Sequence, residues 1–246
     1  MNLRHEIVKR HARLRRFLPP GFHAYPAPGG RIYLDVRESP MMLARVLRVY
    51  EAAKMATLRA HLRHGDVFVD LGANKGDFSL LAARLLDGTG RVIAVEPEDT
   101  NADWIERSVA RNGYGNVEVA RVAIADSDGE ATLFLGEKSG WHSLVVTDGV
   151  ATTGEVTVPT QTLDALLRAR GVDHADVVKI DVEGAEEKVF AGASATFGGT
   201  NRMTLLLDLH PGRGVNPVAI ADQLRDWGFA LDAAVDGRTK SLVATR

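Results

Sequence analysis

The chain has 246 residues, 45% of them hydrophobic and 25% charged, a balance that builds one large α/β domain, or one domain plus an appendage, without covalent staples. It contains no cysteine, which excludes disulfides, thiolate metal sites and cysteine nucleophiles, and its net charge of −2 argues against a general binder of polyanions. Neither a transmembrane run of roughly eighteen apolar residues nor the apolar core of a signal peptide is present, so a cytoplasmic protein without a membrane span is expected.

Residues 1–18 carry Arg4, Lys9, Arg10, Arg13, Arg15 and Arg16 against a single Glu6, and read as a basic helix stopped by Pro19-Pro20-Gly21. Such an arm is either a solvated, fraying helix or a lid or docking patch for an anionic substrate or partner. The Pro- and Gly-rich stretch up to Gly30 reads as a loop, so residues 1–30 form a basic helix and linker and residues 31–246 the main domain. Residues 31–36 read as a short strand. Over 41–64, Met42, Leu43, Val46, Leu47, Tyr50, Ala53, Leu58 and Leu62 recur at helical spacing and give one or two helices, and the apolar stretch 41–47 offers a homodimer contact.

From residue 67 the rhythm changes. Apolar runs of β-formers at 67–71, 91–96, 117–123, 177–182 and 203–209 alternate with helices at 78–86, 101–112, 163–170 and 217–227. Residues 132–135 and 155–159 read as strand extensions or a hairpin. Residues 229–235 and 241–245 flank Asp236-Gly237, the turn signal of a closing hairpin. This alternation requires right-handed crossovers and a parallel sheet whose strands are buried on both faces. The expected fold class is therefore α/β: a Rossmann-like, doubly wound, seven-stranded sheet with an antiparallel C-terminal hairpin and a helical N-terminal extension.

In such sheets a ligand sits beyond the carboxyl ends of the strands, where the strand order reverses. The first core strand ends in Asp70-Leu71-Gly72-Ala73-Asn74-Lys75-Gly76. This is not a P-loop, which needs a different glycine spacing followed by Lys and Ser or Thr. The central glycine of the dinucleotide fingerprint is replaced by Asn74, which leaves little room for a pyrophosphate. Acidic-x-Gly-x-x-x-Gly is instead the pattern used for S-adenosylmethionine, a phosphate-free cationic cofactor. Glu96 ends the second core strand about twenty residues later and can accept hydrogen bonds from both ribose hydroxyls, although an NAD ribose fits it equally. The expected cofactor surface comprises Asp70, Gly72, Ala73, Asn74 and Gly76, then Phe78 and Ser79 on the next helix, Glu96 and Pro97, Val122 and Ala123 against the adenine, and Asp181.

Three segments, Val69-Asp70-Leu71-Gly72-Ala73-Asn74-Lys75-Gly76, Val95-Glu96-Pro97 and Val178-Lys179-Ile180-Asp181-Val182-Glu183-Gly184-Ala185-Glu186, together resemble the FkbM family of methyltransferases, the last being the most specific. Thr162-Leu163-Asp164, Ala123 with Asp126 and Gly129, and Tyr50-Glu51 match the same pattern. The resemblance implies a class I methyltransferase domain that moves a methyl group from S-adenosylmethionine, usually to a hydroxyl oxygen of a sugar, polyketide or other small natural product. Where the family often has Glu-x-His after the fifth core strand, this chain has Asp208-Leu209-His210, and the shorter carboxylate alters what that position can reach.

Methyl transfer from a sulfonium is an in-line displacement that gains from positioning, and a hydroxyl acceptor gains further from a general base. Asp181 and His210 are the candidate bases, with Glu183 orienting the acceptor; these three form the expected catalytic set. Asp181 also fits a helix N-cap with Glu183 in the first turn, and His210 a turn before Pro211-Gly212. Trp141-His142-Ser143 lies in the insertion between the third and fourth core strands and reads as acceptor pocket or as exposed hairpin. Asp181, Glu183, Asp208 and His210 are also spaced for a divalent cation, but carboxylates facing a sulfonium account for the same residues, so no metal is assigned. An NAD-dependent oxidoreductase, an RNA or other nucleic-acid methyltransferase and a non-catalytic module on the same fold are the competing readings. The loop stands against the first. The net charge and the missing Asn/Asp-Pro-Pro-Tyr/Phe run stand against the second, and the joint presence of Asp70, Glu96, Asp181 and Glu183 against the third.

Overall fold

The computed structural model describes residues 17–136, 141–145 and 152–246. The basic helix expected over 1–18 lies outside these, apart from Phe17 and Leu18. The first element is one the sequence reading missed: His23–Ala27 (β1) pairs antiparallel with Gly30–Leu34 (β2), in the stretch expected to be a loop. Proline and glycine mark breaks, but here packing overrides them. Side chains from the helix Asp99–Asn112 take up the backbone groups of β2: Asn112 bonds both the N–H and the C=O of Arg31 at 2.7 and 2.6 Å, and Ser108 accepts the Tyr33 N–H at 3.0 Å. Phe22 stacks on Trp104 of that helix, with ring centroids 3.9 Å apart.

Two helices follow, Pro40–Val46 (α1) and Ala52–His61 (α2). Met42, Leu43 and Ala44 of α1 are buried within the chain, so most of the apolar 41–47 stretch is used internally. The core then unfolds in order: Val67–Leu71 (β3), Asp77–Leu86 (α3), Arg91–Val95 (β4), Asp99–Asn112 (α4), Val117–Ala120 (β5), Ala123–Ile124 (β6), Gly129–Gly136 (β7) and Thr152–Gln161 (β8). It continues with Leu163–Ala169 (α5), Val177–Ile180 (β9), Glu186–Ala191 (α6), Ser194–Gly198 (α7), Thr204–Asp208 (β10), Pro217–Asp226 (α8), Ala230–Leu231 (β11) and Ser241–Thr245 (β12).

The main sheet has seven strands in the order β11-β12-β10-β9-β3-β4-β5. The strands from β10 to β5 are parallel, and β12 runs antiparallel to both β10 and β11. The chain winds outward from β3 to β5, then returns to the other side of β3 with β9, so the strand order reverses between β3 and β9. Burial on both faces explains the continuous apolar runs: Val177, Val178 and Ile180 of β9 and Leu205 to Leu207 of β10 are all buried.

Two expected strands are shorter than expected, each for a local reason. The run 117–123 breaks after Ala120, because the Val122 N–H turns back onto the Ala120 carbonyl and Arg121 swings out to Asp99, Asp103 and Glu106 on α4. The piece beyond the break, β6, joins a separate three-stranded sheet of order β6-β8-β7. The run 229–235 keeps only Ala230–Leu231 as strand. The Asp232 carboxylate takes the Val243 N–H at 2.9 Å, substituting a side chain for the ladder, and Asp236 closes a wider turn through Arg238 and Thr239.

The turn of the β1–β2 hairpin rests on α3 through Gly29, where a Cβ would lie 2.4 Å from the Leu80 backbone. Gly29→Ala is therefore expected to lower stability by about 1–3 kcal/mol through overpacking. Urea unfolding measures this, and an unchanged midpoint would mean that the hairpin does not seat on α3.

Candidate active site

The bend after β3 begins with Gly72 at φ +77°, and a Cβ there would lie 2.0 Å from the Asp181 carbonyl oxygen. Gly72 is expected on the cofactor surface; its first duty is to let the ends of β3 and β9 touch. Gly76, at φ +83°, faces Ile105 of α4 in the same way, with 3.3 Å to an added Cβ. Within the bend four backbone donors are already engaged. The N–H groups of Gly72 and Ala73 both reach the Val95 carbonyl at 3.0 Å, and that of Gly76 reaches the Ala73 carbonyl at 2.8 Å. The Asn74 N–H reaches Glu96 Oε2 at 2.8 Å.

Glu96 follows β4 directly and is 5% exposed. It also accepts the Glu98 N–H at 3.1 Å. Burial pushes its carboxyl up to about 7, against the pull of the Glu98 and Asn74 N–H groups.

A cavity of about 300 Å³ opens at this reversal of strand order. One wall carries Gly72, Asn74, Glu96, Pro97, Val122 and Ala123; the other carries Asp181, Glu183, Asp208 and His210. Nine of the expected site residues thus share one cavity. Five do not line it: Asp70, Ala73, Gly76, Phe78 and Ser79. Alternation along β3 turns Asp70 away from the opening. It is 1% exposed, accepts the Ser79 hydroxyl at 2.6 Å and faces Lys179 Nζ at 3.9 Å. Lys179 reaches on to Asp181 Oδ2 at 3.1 Å and lies 5.1 Å above the Phe78 ring. Asp70, Phe78 and Ser79 therefore hold Lys179, and through it Asp181, from behind the wall.

Asp181 sits below the usual carboxylate range: burial pushes it up, but the charges of Lys179, His210 and Lys54 prevail. Glu183, at φ +52°, pairs with Arg213 at 3.1 Å, and burial pushes it up to about 7. His210 Nδ1 lies 2.6 Å from Glu186 Oε1 and its Nε2 faces the cavity, 3.5 Å from Glu183 Oε2 and 3.9 Å from Asp181 Oδ1. Burial alone would lower the imidazole; the bond to Glu186 and the charges of Glu183, Glu186 and Asp181 outweigh it and hold the pKa above 6.5. With Nδ1–H given to a fully buried Glu186, the Nε2 lone pair is left for an incoming proton. The same geometry lets Asp181, Glu183 and His210 offer three ligand atoms within 4.8 Å of one another. Both carboxylates are already neutralised by Lys179 and Arg213, which favours the proton-transfer use over a cation.

Of the two readings of Trp141-His142-Ser143, the cavity side is the one found: all three line it, tethered by the Ser143 hydroxyl to the Glu183 carbonyl at 2.6 Å. Ahead of the core, α1 and α2 add Arg45, Tyr50, Glu51 and Lys54. Arg45 is buried against Asp77 at 2.6 Å and lies 4.0 Å from the Tyr50 ring centre, which pins α1 to α3. Glu186 stood within a quoted motif, but only the fold brings it to His210. The Lys54–Asp208 ion pair joins residues far apart in sequence, and no local pattern announces it.

Comparison with known proteins bears on the family and the fold. The family model of the methyltransferase FkbM domain matches residues 70–231. Over 183 residues the chain is 25% identical to hexuronic acid methyltransferase AglP of Haloferax volcanii, covering 74% of this chain and 70% of that protein. The crystal structure of a methyltransferase FkbM from Methylobacillus flagellatus superposes with a TM-score of 0.52 at 12% identity; the match covers 86% of this chain but only 53% of that one, and it supports the fold.

The Glu96 carboxyl keeps its proton in the folded protein between its ordinary 4.5 and about 7, where the unfolded chain has lost it. Stability from this group therefore falls as pH rises through that window, by roughly 3 kcal/mol at its end. Glu96→Gln removes the titration, so its melting temperature relative to the unsubstituted protein is expected to climb from pH 5 to pH 8. A pH-independent difference would show that Glu96 is not buried as described.

Proposed function

The chain belongs to the FkbM methyltransferase family, and on that premise we propose that it moves the methyl group of S-adenosylmethionine to a hydroxyl oxygen of a sugar or sugar-bearing small molecule. The observation that carries the cofactor assignment is the bend, four of whose N–H groups are taken. The N–H groups of Gly72, Ala73, Asn74 and Gly76 are all bonded inside the protein, so they are not free to cradle a pyrophosphate as a dinucleotide site requires. What the wall does offer fits a phosphate-free adenosyl group: Glu96 for the ribose hydroxyls, Val122 and Ala123 for the adenine, and the Asp181 carboxylate for a positive charge. When bound, S-adenosylmethionine supplies a methyl group already activated on sulfur.

The protein's own contribution is proton handling and alignment. His210 Nε2 accepts the proton of the acceptor hydroxyl, and Glu186 fixes the tautomer and steadies the imidazolium that results. Glu183 orients the acceptor, and Asp181, clamped by Lys179, keeps a negative charge against the donor. The sugar assignment draws on the hexuronic acid named for the Haloferax relative. A nucleic-acid acceptor fits poorly, since Glu51, Asp181, Glu183 and Asp208 in the wall would repel a phosphate backbone. Among the described residues no helix is long and apolar enough to cross a membrane.

Calorimetric titration is expected to show S-adenosylhomocysteine binding, and Glu96→Ala is expected to weaken it at least a hundredfold; an unaltered affinity would remove Glu96 from the cofactor site. His210→Gln is expected to lower kcat about a hundredfold or more at constant S-adenosylhomocysteine affinity. Because the base form of His210 accumulates as pH rises past its elevated pKa, kcat should climb with pH and then level off. A climb that persists in His210→Gln would assign the base to another residue.

A further inference from the structure

Among the described residues, five that are not glycine have left-handed backbone, and three of these stand in the cavity wall: Asn74 at φ +53°, Glu183 at φ +52° and Glu51 at φ +46°. Left-handed conformation is unfavourable for such side chains and is retained where the surroundings require it. Asn74 presents its N–H to Glu96, and Glu183 faces His210. Glu51 has no part in the mechanism above.

Nor does Glu51 have the usual structural reason for its place. It heads α2, but its side chain caps nothing. Its carboxylate instead lies in the cavity wall, 2.5 Å from Lys54 Nζ. That ammonium bonds both oxygens of Asp208, at the end of the strand that delivers His210. One ammonium thus holds two carboxylates side by side next to the general base. Carboxylate acceptors held side by side suit a pair of neighbouring hydroxyls, each of which has an O–H to donate. Trp141, 38% exposed at the same cavity, adds an apolar face for a ring.

We propose that Glu51 is the specificity residue of the acceptor site, taking a hydrogen bond from the hydroxyl adjacent to the one methylated, with Lys54 as its positioning residue. The acceptor class that follows is a polyol ring with neighbouring hydroxyls. This rests on the reading of the site as a sugar O-methyltransferase.

The test uses the full chain with S-adenosylmethionine and the methyl glycosides of a hexose, a 6-deoxyhexose and a hexuronic acid. Monodeoxy analogues of the accepted glycoside follow, one position at a time. Glu51→Gly frees the left-handed backbone. It is therefore expected to melt at or above the temperature of the unsubstituted protein and to bind S-adenosylhomocysteine within twofold. Its acceptor KM is expected to rise at least tenfold. Glu51→Gln, which keeps the side-chain length, is expected to raise the same KM. On the analogue lacking the adjacent hydroxyl, Glu51→Gly and the unsubstituted protein should have equal kcat/KM. Unchanged acceptor KM in both variants overturns the inference alone, as does a lower melting temperature with weakened S-adenosylhomocysteine binding in both. Binding of S-adenosylhomocysteine without transfer to any glycoside overturns the sugar reading, and this inference with it.

Discussion

The site is set by a seam between two backbones. The bend after β3 meets the end of β9 so tightly that only a hydrogen atom fits at position 72 beneath the Asp181 carbonyl. The Asp181 N–H returns a bond to the Leu71 carbonyl at 3.0 Å, which sews the two strand ends together. Everything on the cofactor side hangs from β3, β4 and β5; everything on the proton-transfer side hangs from β9 and β10. This seam sets the distance between them, and a side chain at 72 would force the halves apart.

Charge is distributed around that seam by a consistent rule. Carboxylates in and behind the wall are each given a nearby positive group: Lys179 for Asp70 and Asp181, Arg213 for Glu183, Lys54 for Asp208, and the His210 ring for Glu186. Burying a carboxylate is costly unless it is paired or bonded, and the pairing keeps Asp181 ionised in a recessed position. Glu96 is the exception. It has N–H and amide donors from the chain, and burial holds its proton up to about 7. A bound polyhydroxyl group would supply the donors that it lacks.

The sheet was legible because parallel strands covered on both faces are mostly apolar, and β3, β4, β9 and β10 are, with Asp70 and Lys179 facing each other as buried exceptions. That Gly72 and Glu96 share one cavity wall was legible from spacing, since a glycine bend and a carboxylate at successive strand ends fall together in any such sheet. Orientation was not. Asp70 belongs to the same motif as Gly72, yet alternation turns it inward, where it serves Lys179. Pairings between distant segments were equally hidden: Asn112 bonding the backbone of β2, Arg45 with Asp77, Lys54 with Asp208. The strand 23–27 escaped notice because local composition is dominated by residues that end structure, while its partner strand and the helix beneath it lie elsewhere in the sequence.

The roof and acceptor flank of the cavity come from Ser39 to Lys54, chain that precedes the first core strand. The ends of the sheet strands contribute the residues proposed for the cofactor and for proton transfer. The residues proposed to meet the acceptor and those proposed to hold the cofactor are thereby housed in separate stretches of polypeptide, so a substitution in the upstream stretch can reshape one flank of the cavity without touching the strand ends.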